Sequence, residues 1–131
     1  MKHTPISENH LYSKTYAKGQ KFVAKNVIVY ILRDLKSKKL MLANPQKKYI
    51  NRVGLTVSKK LGKAHIRNRI KRILREGLRQ TEKNFETNKG FLIVLVARND
   101  AQFVKAGDIA KDIERAFRAL NMIKDSSNLS N

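Results

Sequence analysis

The chain has no cysteine. Disulfides, thiolate zinc sites and cysteine nucleophiles are therefore excluded, and a reducing cytoplasmic setting fits. Acids are few: Asp and Glu number 10 against 29 Lys and Arg, a formal net charge of +19. An excess of that size goes beyond solubility and implies a polyanionic partner. One interval, between Asp34 and Glu76, holds no acid at all. No apolar run reaches the ~20 residues of a membrane-spanning helix, and residues 1–26 lack the apolar region of a secretion signal. No membrane partner is expected. The three histidines, His3, His10 and His65, make no HxxxH or HExxH spacing, so the protein is expected to hold no metal. No paired carboxylates and no Ser/His/Asp grouping stand out, so no catalytic residue is expected on the protein.

The charge is concentrated in Lys59–Arg75, KKLGKAHIRNRIKRILR. Read as a helix from about Ala64, Ile66, Ile70, Ile73 and Leu74 form one buried stripe. Asn68, Arg72, Arg75 and Arg79 project roughly opposite, with Arg67, Arg69 and Lys71 on the flanks. Lys59, Lys60 and Lys63 gather at the entrance, where free backbone N–H groups already favour anions. A solvated surface helix would mix signs at i,i+4 spacing. This one carries a single sign until Glu76 and repels itself unless a polyanion covers it.

The remaining elements follow from local pattern. Pro5 and Ser7 open a short helix with Leu11, Tyr12, Thr15 and Tyr16 on one face, and Gly19 is the expected C′ stop. Residues 20–32 read as strand, broken near Ala24–Asn26, with both faces largely apolar. Arg33–Asn51 reads as a lysine-rich insert, with Leu40, Met41 and Leu42 a short strand or clamp and Asn44-Pro45 a turn. Arg52–Ser58 is a strand with one apolar face and one small polar face, Gly54, Thr56 and Ser58. Gly77 lies in the stripe of the basic helix and permits close approach of another element. Residues 81–89 read as a loop, and Gly90–Ala97 as a central strand buried on both faces. Ile109, Ala110, Ile113, Ala116, Phe117 and Leu120 mark a last helix ending near Met122. Residues 1–123 are expected to form a single α+β RNA-binding domain, and 124–131 a polar disordered tail.

A strand RVGLTVSKK, a turn with Gly62 and a helix opening IRNRIKRILRE resemble the protein subunit of bacterial ribonuclease P, over nearly the whole chain. The resemblance implies the order αβββαβα, a central four-stranded sheet with helices packed on it, and a left-handed βαβ crossover through the basic helix. It implies an accessory subunit that promotes endonucleolytic removal of the 5′ leader from precursor tRNA. The chemistry would belong to a catalytic RNA with Mg2+, with no cofactor on the protein alone and no protein partner required. By the same resemblance, Lys59, Lys60, Lys63, Arg67, Asn68, Arg69, Lys71, Arg72 and Arg75 would meet the catalytic RNA. Tyr12, Tyr16, Ile28 and Tyr30 would line a cleft for the leader, bordered by Arg67, Asn68 and Arg98. The family more often has Phe where Tyr12 and Tyr16 stand, and its connection matching 33–51 is shorter. A ribosomal or general structural RNA-binding protein is the alternative. It explains the charge equally well but not a tyrosine-lined cleft.

Overall fold

In chain order the computed structural model, which describes residues 3–43, 46 and 49–124, contains Thr4–Pro5 (β1), Asn9–Lys18 (α1), Gln20–Val23 (β2), Val27–Arg33 (β3) and Ser37–Ala43 (α2). Then come Arg52–Thr56 (β4), Ala64–Asn84 (α3), Phe91–Ala97 (β5) and Ala106–Ala119 (α4), with 3₁₀ turns at Lys59–Leu61 and Asn99–Phe103. The strands form one mixed sheet in the order β1-β4-β5-β3-β2. The continuously apolar β5 lies at its centre, antiparallel to β3 and parallel to β4, as a strand covered on both faces must. The α+β class expected from the sequence is present. The sheet has five strands where four were expected, because Thr4–Pro5 pairs in parallel with Arg52–Val53.

Side-chain alternation sorts the sheet into two unequal faces. Val27, Val29, Ile93 and Leu95 point to one side, where Ile70, Leu74 and Leu78 of α3 and Ile109, Ile113 and Phe117 of α4 seal them completely. Gly77 brings α3 and α4 together: a Cβ there would stand 2.6 Å from Ile109. On the other side Leu92 and Val94 pack with Ile6, Leu11 and Tyr12. One ten-residue helix, α1, cannot cover a face that two longer helices cover opposite, so part of this second face stays open.

Several local expectations are corrected. Gly19 ends α1, but with extended backbone (φ −74°); it is glycine because a Cβ would press on the Thr15 and Ile31 carbonyls at 2.5 and 2.7 Å. Ser7 does not cap α1; Glu8 occupies the cap position, and the Ser7 hydroxyl donates to its carboxylate. Leu40, Met41 and Leu42 are helical, in α2, which buries none of its residues. The basic helix continues past Arg79 to Asn84 because buried Thr81 bonds the Gly77 carbonyl (3.1 Å) and that of Ala110 (3.2 Å). The expected turn at Asn44-Pro45 and tail residues 125–131 lie outside the described residues.

A buried ion network fixes α1 to the sheet. Arg52 Nε and Nη2 donate to the two Asp34 oxygens at 2.7 and 2.9 Å, and Nη1 donates to Glu8 at 3.0 Å. Hydrogen bonds from Ser7, Lys36 and Arg52 hold the Glu8 carboxyl down at about 2, against 4.5 unperturbed. A depressed carboxyl stabilises the fold fully above its unfolded value and loses that contribution as pH falls towards the folded one. Thermal melts from about pH 5 down to about pH 2 should therefore show a falling Tm that Glu8→Gln partly flattens. Equal slopes in the two proteins would show that Glu8 contributes nothing.

Candidate nucleic-acid interface

The entrance to α3 is fixed from within. Ser58 Oγ accepts from the Lys60 N–H (3.2 Å) and Leu61 is buried. Gly62 takes φ +135°, a conformation strained for any side chain. This turn leaves Lys59, Lys60 and Lys63 exposed. Lys63 caps α3 without a side-chain hydrogen bond, so first-turn N–H groups face outward for an anion. Arg67 Nε donates to the Gly62 carbonyl (3.2 Å), and Arg69 Nη1 to the Gln102 carbonyl (3.0 Å). Each guanidinium keeps most of its five donors for a phosphate. Asn68 between them is exposed, as are Arg72 and Arg75, while Lys71 is half-buried. The first acid of the helix, Glu76, is already paired with Arg79 at 2.9 Å.

The open face of the sheet is built from two rows of cross-strand neighbours. Gly54, Val94, Tyr30 and Lys21 form one, and Thr56, Val96, Ile28 and Val23 the next. Tyr12 lies over Gly54, where a Cβ would come within 2.6 Å of its ring. Tyr16 meets Tyr30 edge-on, with centroids 5.0 Å apart, and its hydroxyl is 2.6 Å from Thr56 Oγ1. Tyr16 is 38% exposed and Val23 51%, so the second row is the open part. Tyr12, Tyr16, Tyr30 and Ile28 thus share this face of the sheet. Thr56, Val96 and Val23 complete the surface and were missed. Their signal was the small, polar alternate face of β4, which marked open sheet without naming who would face it. Arg98 is tied down separately: Nη1 donates to the Ala24 carbonyl (2.7 Å), holding the β2–β3 turn at the end of the sheet where Ile28 and Val96 lie.

Between the two surfaces lies a groove of about 520 Å³. Pairing with β1 stops at Val53, and beyond it the edge of β4 lines the groove with Leu55. Tyr12 stands on one side, Lys71, Arg75 and Arg79 on the other. Burial, and secondarily the neighbouring Tyr16, push the Tyr12 hydroxyl above its ordinary value, with the Leu55 backbone opposing. At neutral pH it is a protonated donor at the rim of a basic groove. The arrangement can stack bases on one flank and neutralise phosphates on the other. Among the described residues no three His, Cys, Asp or Glu side chains gather to hold a metal, and no helix is long and apolar enough to cross a membrane.

Comparison with known proteins gives a consistent picture. The Ribonuclease P family model matches residues 1–121. A ribonuclease P protein component of Clostridium acetobutylicum is 30% identical over 131 residues, covering 99% of this chain and all of that one. One from Bacillus velezensis is 31% identical over 126 residues, covering 96% of this chain and 97% of that one. The fold is similar to the solved RNase P protein of Staphylococcus aureus, with a TM-score of 0.69 at 24% identity over 94% of this chain and all of the other.

Proposed function

The chain belongs to the ribonuclease P protein family, and from that membership we propose that its two contiguous surfaces hold a catalytic RNA and the 5′ leader of a precursor tRNA together. Its role is tRNA 5′ maturation, as one component of an endoribonuclease whose partner is an RNA subunit. On this reading the phosphodiester is cut by the RNA with its Mg2+, in the cytoplasm, without a second protein. The protein supplies position and charge. Lys59, Lys60, Lys63, Arg67, Asn68, Arg69, Lys71, Arg72 and Arg75 lie against the catalytic RNA. Tyr16, Tyr30 and Ile28 receive leader bases, with Tyr12 beneath and Arg67, Asn68 and Arg98 at the borders.

The observation that carries the reading is the groove at the β4 edge, which sets Tyr12 against Lys71 and Arg75. A leader leaving the tyrosines runs directly onto the basic helix. The test is reconstitution with a bacterial catalytic RNA at low Mg2+. The protein alone should cleave nothing; with the RNA it should favour leader-bearing precursor over mature tRNA. Tyr16→Ala should weaken binding of the precursor by roughly 1–3 kcal/mol and leave mature tRNA little affected. Equal loss for both would remove the leader from this cleft.

A further inference from the structure

A second cavity, of about 670 Å³, lies at the other end of the sheet. Arg33, which closes β3, and Phe91, which opens β5, are cross-strand partners there. The Arg-Asn-Arg turn follows the opposite end of β4, and α3 runs the length between them, 21 residues or roughly 30 Å. Arg33, Lys89 and Lys124 bring positive charge to the cavity, and Tyr49, Phe91 and Met41 bring apolar surface. No acid lines it. Its size is within the ~300–1,000 Å³ of ordinary ligand pockets.

The walls are held by polar bonds centred on buried Asn51. Asn51, 8% exposed, donates to the Asn88 carbonyl (2.8 Å) and accepts from the Phe91 N–H (2.9 Å). Asn88 in turn donates to the Met122 and Asn121 carbonyls, both at 2.7 Å. Three separate segments are thereby locked round one opening. Inside it the Arg33 guanidinium has no hydrogen bond or ion pair among the described residues. Among the described residues Lys89 reaches only Thr87 (3.2 Å), and Lys124 pairs with exposed Glu86 at 3.3 Å. Tyr49 is 46% exposed.

We propose that this cavity is a third RNA contact, taking one unpaired nucleotide with its base against Tyr49 and Phe91 and its phosphate among Arg33, Lys89 and Lys124. The Arg33 guanidinium, with no competing acid among the described residues, suits a phosphate, Lys89 and Lys124 add charge beside it, and exposed Tyr49 with half-buried Phe91 suits a base of any identity. The inference rests on the RNA-binding role proposed above and adds a remote anchor to it.

The experiment compares Arg33→Ala/Lys89→Ala with Lys111→Ala/Arg115→Ala, an equal charge change on the exposed side of α4. Binding to catalytic RNA alone, and to precursor tRNA alone, is measured across salt concentrations, with Arg69→Ala as reference. In one of the two arms the cavity variant should lose about tenfold more affinity than the control and flatten the salt slope by about 0.7, one single-strand phosphate contact. That arm identifies which RNA supplies the nucleotide. In the same arm Tyr49→Ala should lose about tenfold and Tyr49→Phe should not. Losses no larger than the control's in both arms, or an indifferent Tyr49→Ala, overturn the inference. If Arg69→Ala still weakens binding, only this third contact falls; if it does not, the RNA-docking role of α3 falls with it.

Discussion

Replacing Asp34 with Ala is expected to cost about 3–5 kcal/mol of stability, enough to lower Tm by roughly 10 °C or more. The side chains of Asp34 and Arg52 are 1% and 6% exposed, and the carboxylate takes two guanidinium N–H bonds in a fork. Removing it strands a buried cation whose charge Asp34, above all, favours. Among the described residues Glu8 is then its only acid partner, and it is shared with Lys36. The loss should reach function too, because the same guanidinium grips Glu8 at the start of α1 and so sets the angle at which the tyrosines meet the sheet. Thermal and urea melts at neutral pH measure it. Asp34→Ala combined with Arg52→Met should recover much of the loss, since a buried pair replaced whole costs little. A single-variant loss below about 1 kcal/mol would mean that the pair is solvated in solution.

Gly54→Ala should unseat Tyr12. The added carbon would stand 2.6 Å from Cε1, Cζ and the hydroxyl oxygen of the Tyr12 phenol. The strand cannot recede, because Gly54 is in register with Val94 of the buried β5. The ring must swing out, at about 1–3 kcal/mol as for other overpacked sites. Preference for leader-bearing precursor should fall by about tenfold, a little over 1 kcal/mol, in reconstituted cleavage at low Mg2+. Adding Tyr12→Ala should restore stability without restoring that preference. Unchanged melting of the single variant would show that the ring is not seated on Gly54.

These two sites also mark where sequence was a sufficient guide and where it was not. Gly77 and the alternating stripes of α3 and α4 were legible, because helix periodicity and a missing Cβ are local facts that packing merely uses. The break between β2 and β3 was legible as a run of strand-poor residues. Its reason was not: the Asn26 N–H donates to buried Asp112 of α4, 2.9 Å away, a polar residue set among apolar ones. Leu40–Leu42 misled because three consecutive apolar residues carry no period, and α2 buries none of them. β1 was invisible, since two residues cannot show alternation. The tyrosines could be placed on one helix face from spacing alone. That Thr56 would meet Tyr16 required the register of β4 against β5 and β3, which no single segment encodes.

Arg67 and Arg69 are each tethered to a backbone carbonyl before any partner arrives. A free arginine carries about 2 kcal/mol of rotamer entropy, part of which these two have already surrendered in folding. On the RNA-docking role proposed for α3, RNA would meet two cations, two residues apart on the helix, that two carbonyls have already oriented. Such a pair works as a gauge. It would admit backbones whose phosphates fall at its own spacing and be indifferent to the bases they carry, so that partner choice on this face would follow RNA shape rather than RNA sequence.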